Sequence, residues 1–209
     1  MKTIVSMLCG LLLAVFGAPT LAQDIAPDAL AKKVTDEVLT ILRSDKDIQS
    51  GNTRKVYDLV EAKILPHFNF TRMTRLAVGA AWRQASAAQQ QGLTNEFRQL
   101  LVHTYASAFT QYRDQVIEYR PLKMAAGDTE VTVQSRIKQS GGQDPIEVAY
   151  SMEKTDQGWK VYDVTIAGVS LVQNYRSSFN SEIQKSGIDG LIASLSAKNK
   201  SLSQQAAKK

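Results

Sequence analysis

The stretch that decides the fold is WKVYDVTIAGVSLVQNYRSSF at residues 159–179, with GIDGL following at residues 187–191. Alternating apolar and β-branched residues predict a strand up to Ile166, and Gly168 predicts a tight corner. Ser170 with Gln173 three residues later predicts a capped, amphipathic helix. The stretch has no nucleophile–base pair, metal-ligand spacing or phosphate loop, which favours binding of an apolar ligand over hydrolysis.

Three more strands precede this stretch, and each is predicted by a period of two. They cover Gln115–Tyr119 with a possible extension to Met124, then residues 131–138, then residues 146–153. Glycines at 127, 141, 142 and 158 separate them, which is typical of an antiparallel meander. The fourth strand, Trp159–Ile166, carries apolar residues on both faces, so we expect it to be the most buried.

Helical periodicity dominates the first half of the chain. Pro27 and Asp28 predict the start of a first helix, and Asn52 or Thr53 the start of a second that ends at Pro66. A short helical piece runs through residues 70–77. The longest predicted helix extends from Ser86 to Tyr112, which at 1.5 Å per residue would be roughly 39 Å long.

These elements predict an α+β fold: a curved antiparallel sheet of about four strands covered by helices. A long helix leading into a meander is typical of a nuclear-transport-factor-2-like (NTF2-like) cone, here with additional N- and C-terminal helices. The open end of such a cone often holds a small apolar ligand.

The N-terminus predicts export. Lys2 is followed by an apolar run from Ile4 to Phe16 and by the small residues Thr20 and Ala22, which is the pattern of a cleaved signal peptide over residues 1–22. The only cysteine, Cys9, lies in this segment. The processed chain would therefore contain no disulfide and cannot be a thiol enzyme.

The remaining chain has the length of a single domain, which we assign to residues 23–197. Its helical part covers residues 24–85 and 170–197, and its NTF2-like part covers residues 86–169. The formal net charge of the full chain is +5. Residues 198–209 contain four lysines and few apolar residues, and predict a disordered basic tail.

Few residues are candidates for chemistry. The two histidines, His67 and His103, are better explained as structural or solvated, and no spacing indicates a metal site. Asp163, on the predicted buried strand, could act as a general base in a cone-shaped enzyme. The alternative is an aspartate satisfied by the backbone or by Arg176, and we favour it because no oxyanion-stabilising partner is apparent.

Several motifs together resemble a known family. They are PHFNF at residues 66–70 with Gly79 and Trp82, the run from Trp159 to Phe179, and GIDGL at 187–191. With the export signal, they are similar to the MlaC family, also called toluene-tolerance proteins. These are periplasmic phospholipid-binding components of a lipid-transport pathway in Gram-negative bacteria.

The resemblance implies a monomeric periplasmic carrier without a cofactor. It would shuttle a diacyl phospholipid between an outer-membrane lipoprotein–porin complex and an inner-membrane ABC transporter with a substrate-binding ring, and so maintain outer-membrane lipid asymmetry. We expect Arg72, Arg75 and Arg83 to form its docking surface. The residues expected to bind lipid face a cavity between sheet and helices: Phe97, Leu101, Tyr105, Tyr150, Val164, Ile166, Val169 and Leu171.

Two other functions remain open. One is an NTF2-like enzyme that uses Asp163, and the other is a periplasmic chaperone or adaptor for apolar segments. Nucleic acid is not an expected partner, because basic and acidic residues are interspersed outside the tail.

Overall fold

The computed structural model describes residues 25–206 except 111, 113, 114, 140 and 142. The predicted signal peptide, residues 1–22, therefore lies outside the described residues. The helices are α1 (Pro27–Ser44), α2 (Lys46–Gln49), α3 (Thr53–Leu59), α4 (Phe70–Val78), α5 (Ala87–Tyr105), α6 (Ser107–Thr110) and α7 (Leu171–Ala206). The strands are β1 (Val116–Tyr119), β2 (Glu130–Lys138), β3 (Ile146–Thr155), β4 (Gly158–Ile166) and β5 (Val169–Ser170).

The strands form one open antiparallel sheet in the order β1-β2-β3-β4-β5, which confirms the predicted meander. The sheet has five strands, because the corner at Gly168 lets Val169 and Ser170 turn back and pair with Ile166 and Thr165. The predicted extension of β1 to Met124 is wrong, and residues 120–124 are not part of a strand.

A β-bulge corrects the prediction for β4. Met152 pairs with Val161 while its neighbour Ser151 pairs with Asp163, so one extra residue, Tyr162, lies on β4. A bulge of this kind reverses the alternation of side chains along a strand. The apolar residues on both sides of it therefore point to the same face of the sheet, rather than to both faces.

The predicted long helix is interrupted. Helix α5 begins at the capping box of Ser86 and Gln89, as predicted, but ends at Tyr105, and a separate short α6 follows. The second helix also changes form before Pro66: α3 continues as a π-helical turn, Val60–Ile64, and a 3₁₀ turn, Leu65–His67. Asn52 caps α3 through the backbone N–H of Lys55.

The main core lies between the sheet and helices α4, α5 and α7. Phe97 on α5 is fully buried and makes edge-to-face contacts with Tyr175 and Phe179 of α7, with ring centroids 5.1 Å apart in both pairs. A second, smaller cluster joins α1 to α2, α3 and the following turns. The two clusters leave part of the inner sheet face without direct helix packing.

Helix α7 continues well beyond the predicted end of the domain. It kinks at Gly187, whose φ of 73° lies outside the helical region, and then runs to Ala206. The prediction of a disordered tail is therefore wrong for residues 198–206. Asn199 is buried and donates hydrogen bonds to the backbone and side-chain oxygens of Glu96, so this segment packs against α5.

Asp163 connects β4 to the start of α7. Its Oδ1 accepts hydrogen bonds from the backbone N–H groups of Val164 (2.8 Å) and Val172 (3.1 Å), and its Oδ2 accepts one from the hydroxyl of Ser170 (2.5 Å). The Ser170 hydroxyl oxygen accepts from the N–H of Gln173, as the capping pattern predicted. The carboxylate therefore fixes the corner that separates sheet from helix.

Replacing Asp163 with Ala should lower the free energy of unfolding by about 2–3 kcal/mol, because three donors, two of them backbone N–H groups, lose a charged acceptor. Ser170→Ala removes one cap and should cost only about 1 kcal/mol. Urea unfolding followed by circular dichroism measures both values. An unfolding midpoint of Asp163→Ala equal to that of the unsubstituted chain would contradict this structural role.

Candidate functional site

A cavity of about 570 Å³ lies between the inner face of the sheet and the helices. Cavities of roughly 300–1,000 Å³ are typical of binding sites for small organic ligands. The floor is the sheet, with Ile137, Val148 and Ile166 among its residues, and the opposite side is α1. The site is thus a space that the sheet and its covering helices enclose together.

Helix α1 supplies one whole wall. It faces the cavity through Leu30, Ala31, Val34, Thr35, Val38, Leu39 and Leu42. Only Val38 and Leu42 of these are fully buried. The others are partly exposed although they point inward, because the cavity separates them from the sheet. A ligand that fills the cavity would therefore add contacts to both surfaces.

The lining is almost entirely apolar. Among the described residues, no Asp, Glu, Lys or Arg side chain lines the cavity. The polar groups that do line it are Thr35, His67, Tyr105, Tyr112, Gln115, Gln139 and Tyr150. A predominantly apolar lining of this kind suits hydrocarbon.

Two tyrosines on the wall, Tyr105 and Tyr150, are partly or largely desolvated inside the protein. Burial raises the pKa of both phenols above the ordinary value. Both hydroxyls therefore stay neutral at physiological pH and contribute mainly their rings to the cavity wall.

Six of the eight residues predicted to face the cavity do line it: Leu101, Tyr105, Tyr150, Val164, Ile166 and Leu171. The prediction of a cavity-facing position is wrong for Phe97 and Val169. Phe97 is enclosed by the aromatic side chains of α7, on the packed side of α5. Val169 is 54% exposed on β5, the edge strand of the sheet, and does not line the cavity.

Sequence reasoning missed much of the wall. Besides α1, it includes Phe68, Phe70 and Met73 at the start of α4, and Ile117 and Ile146 on the sheet. The periodicity of α1 was visible, but it does not say whether an apolar stripe covers core or cavity. Phe68 is positioned by a bridge to Val161, which only the tertiary structure forms.

Helix α1 is attached to the rest of the molecule by few polar contacts. The hydroxyl of Tyr119 on β1 lies 2.6 Å from the Thr35 hydroxyl and donates to the carbonyl oxygen of Ala31 at 3.1 Å. At the other end of α1, Arg43 donates to the hydroxyl of Tyr112 at 2.7 Å. These contacts hold the helix across the cavity.

Asp163, His103 and His67, the candidate groups for chemistry, are not brought together in one site. Asp163 does not line the cavity, and Ser170 and two backbone N–H groups, rather than Arg176, satisfy its carboxylate. His103 lies 3.2 Å from the Tyr57 hydroxyl, outside the cavity. His67 does line the cavity, where burial lowers its pKa and favours the neutral ring.

The three arginines predicted to form a docking surface differ in their environments. Arg72 is only 16% exposed: it pairs with Glu130 (2.6 Å) and Glu153 (2.5 Å) and stacks on Tyr162, with its guanidinium carbon 3.6 Å from the ring centroid. Burial alone lowers the pKa of Arg72, but the two carboxylates outweigh it and raise that pKa. Arg72 therefore joins α4 to the sheet, whereas Arg75 and Arg83 are exposed.

No group of His, Cys, Asp and Glu side chains in the described part of the chain has the geometry of a metal site. Within the same residues, no helix combines the length and the apolar character that are needed to cross a membrane.

Comparison with known proteins agrees with this architecture. The family model described as "MlaC protein" matches residues 32–197. The chain is 24% identical to the intermembrane phospholipid transport system binding protein MlaC of Haemophilus influenzae, over 84% of this chain and 83% of that protein. It is 25% identical to the toluene tolerance protein ttg2D of Pseudomonas putida, over 85% and 82% of the two chains.

A solved structure shares the fold. It is a phospholipid-binding protein from Ralstonia solanacearum in complex with a phospholipid, which superposes with a TM-score of 0.78 at 39% identity and covers 84% of this chain and 98% of that one. The family model and this relative together show that the chain belongs to the MlaC family, which includes the toluene-tolerance proteins.

Proposed function

We propose that this protein binds a phospholipid in the cavity and carries it between membranes. The observation that carries this proposal is the cavity between the sheet and α1, whose described lining is apolar and contains no Asp, Glu, Lys or Arg. The Ralstonia relative was solved with a phospholipid, and the Haemophilus relative is named as part of an intermembrane phospholipid transport system. Both facts support the same ligand class here.

The energetics require shielding of the lipid tails. A diacyl lipid has roughly 30 chain methylenes, each worth about 0.8 kcal/mol on burial, or about 24 kcal/mol in all. That exceeds the usual limit of non-covalent affinity, near 18–21 kcal/mol. A carrier therefore competes with the bilayer rather than with water, and needs an apolar space more than it needs headgroup contacts.

The finer proposal is a periplasmic shuttle. The predicted signal peptide supports export, and the family supports exchange with an outer-membrane lipoprotein–porin complex and an inner-membrane ABC transporter. We propose that the protein works as a monomer with lipid as its cargo and without a cofactor. Its role would be to maintain the lipid asymmetry of the outer membrane.

The two alternatives are less well supported. A general base at Asp163 would need to reach a ligand in the cavity, and its carboxylate is instead engaged at the corner before α7. A chaperone for apolar peptides would have to hydrogen-bond the peptide backbone, and the apolar lining offers few partners for it.

Organic extraction of the exported, purified chain followed by mass spectrometry tests the proposed function. We expect phospholipid at about one molecule per chain without any being added. Preparations that repeatedly contain peptide or no lipid would overturn the proposal, and turnover that Asp163→Asn abolishes would favour an enzyme.

The paired residues Ile166 and Val169 provide a matched test of the wall. Ile166 lines the cavity, whereas its register partner Val169 is 54% exposed. Ile166→Asp should lower the bound lipid about tenfold or more, because it places a charge against the tails at a cost of several kcal/mol. Val169→Asp should retain lipid, as measured by the same extraction.

Ile166→Trp provides a second, uncharged variant that fills part of the cavity. It should also reduce bound lipid while keeping the circular dichroism spectrum of the unsubstituted chain. Equal lipid contents in the two Asp variants would show that Ile166 is not part of the binding wall.

Weakening the attachment of α1 should speed lipid release. Tyr119→Phe removes the hydroxyl that bonds Thr35 and Ala31. At about 0.5–1.5 kcal/mol for each of the two hydrogen bonds, this corresponds to release roughly 5- to 150-fold faster. Transfer of a fluorescent phospholipid to acceptor vesicles measures the rate. Tyr57→Phe, which removes a hydroxyl outside the cavity, is the control, and identical rates in both variants would exclude α1 as the cover that limits release.

A further inference from the structure

The surface formed by the end of α4, the 3₁₀ turn Gly79–Arg83 and the first turns of α7, up to Ser181, contains no carboxylate of its own. No Asp or Glu occurs between Glu61 and Glu96, and none occurs between Asp163 and Glu182. These two segments pack against each other, because α4 and the 3₁₀ turn both contact α7. The fold therefore combines two acid-free segments into one surface.

Three arginines lie on this surface around Gly79. Arg75 is one helical turn before Gly79 and Arg83 four residues after it, so their backbones lie about 6 and 8 Å from it along the chain. The guanidinium of Arg176 rests on Gly79, with Nη2 3.5 Å from the position that a Cβ would occupy. Gly79 itself has a φ of 67°, which favours glycine. We call Arg75, Arg83 and Arg176 the basic patch.

The arginines of the patch differ from four other arginines of the described chain in having no ion-pair partner. Arg72, Arg98, Arg120 and Arg136 each pair with a glutamate. Among the described residues, the three arginines of the patch make no ion pair and no side-chain hydrogen bond, and all three are exposed. Like charges that are left unpaired on one surface repel each other, and a partner of opposite charge would relieve this repulsion.

The carboxylates that flank the first turns of α7 in the sequence already accept hydrogen bonds. Asp163 accepts the hydroxyl of Ser170, Glu182 accepts that of Ser186, and Asp189 accepts the side-chain amide of Gln89. The patch therefore keeps its donors for an external group. A planar guanidinium binds a carboxylate with two parallel hydrogen bonds, which a surface of Asp and Glu side chains supplies.

We infer that the basic patch is a docking surface for a partner protein with an acidic surface. A lipid bilayer fits less well, because basic residues contribute only about 1 kcal/mol each at an anionic membrane, and four to eight of them or an apolar anchor are needed. The large exposed apolar residues, Ile25, Val116, Met124 and Val169, all lie outside α4, the 3₁₀ turn and α7.

The partner would be one that the proposed lipid carrier docks to, so its biological role rests on the proposed function. The existence of the basic patch does not depend on that function. None of the three arginines lines the cavity, so docking and lipid binding use different side chains. Charge reversal in the patch should therefore leave bound lipid unchanged, and lipid content measured on the same samples tests the carrier separately.

The test uses the ¹⁵N-labelled processed chain, a hexaglutamate peptide as the acidic probe, and vesicles of phosphatidylglycerol as the membrane probe. We expect the peptide to shift backbone amide signals of residues 75–83 and 173–180. The double variant Arg75→Glu, Arg83→Glu should bind the peptide about tenfold more weakly, and binding should weaken with added salt. Arg54→Glu is the matched control, because Arg54 is exposed and unpaired on α3, and it should bind as the unsubstituted chain does.

A second variant distinguishes the loss of positive charge from misfolding caused by charge reversal. Arg75→Gln with Arg83→Gln removes the charges without reversing them and should give an intermediate loss. Signal shifts spread over the whole surface, or equal affinities in the patch and Arg54 variants, would overturn the inference. Binding to the vesicles without binding to the peptide would also overturn it, in favour of a membrane.

Discussion

The structure depends on how the inner face of the sheet is divided between packed core and cavity. At one side, α4, α5 and α7 press their aromatic and aliphatic residues onto the sheet, with Phe97 fully buried among them. At the other side α1 faces the sheet across a space of about 570 Å³. The apolar face of a sheet must be shielded from water. Here packed helices shield one part of it, and a cavity of ligand size lies between α1 and the other part.

The bulge at Tyr162 makes this division possible. It turns Val161, Val164 and Ile166 to the cavity side and leaves Tyr162 on the outer side, where Arg72 stacks on the ring and pairs with two glutamates. The one inserted residue thus affects both faces of the sheet: it directs apolar residues of β4 to the cavity, and its own ring contacts Arg72. It also explains why β4 has apolar residues at both even and odd positions without being buried on both faces.

The acidic groups of the protein serve to fix its framework. Asp163 holds the corner before α7, Glu96 receives Asn199 of the same helix, and Glu130 and Glu153 hold Arg72. The cavity, by contrast, has no Asp, Glu, Lys or Arg on its described wall. The described lining of the cavity and the exposed arginines around Gly79 are therefore made of different residues.

The sequence by itself determined the fold class, the meander, the capped start of α5 and the family, because periodicity, glycine turns and local caps are short-range signals. It also identified six residues of the wall, since they occur on elements whose inward face was evident. It did not determine the tertiary placement of Phe97, Val169 or α1, because periodicity tells which face is apolar and not what lies opposite it. The helical state of residues 198–206 and the unpaired arginines around Gly79 likewise result from long-range packing, which brings Asn199 to Glu96 and Arg176 to Gly79.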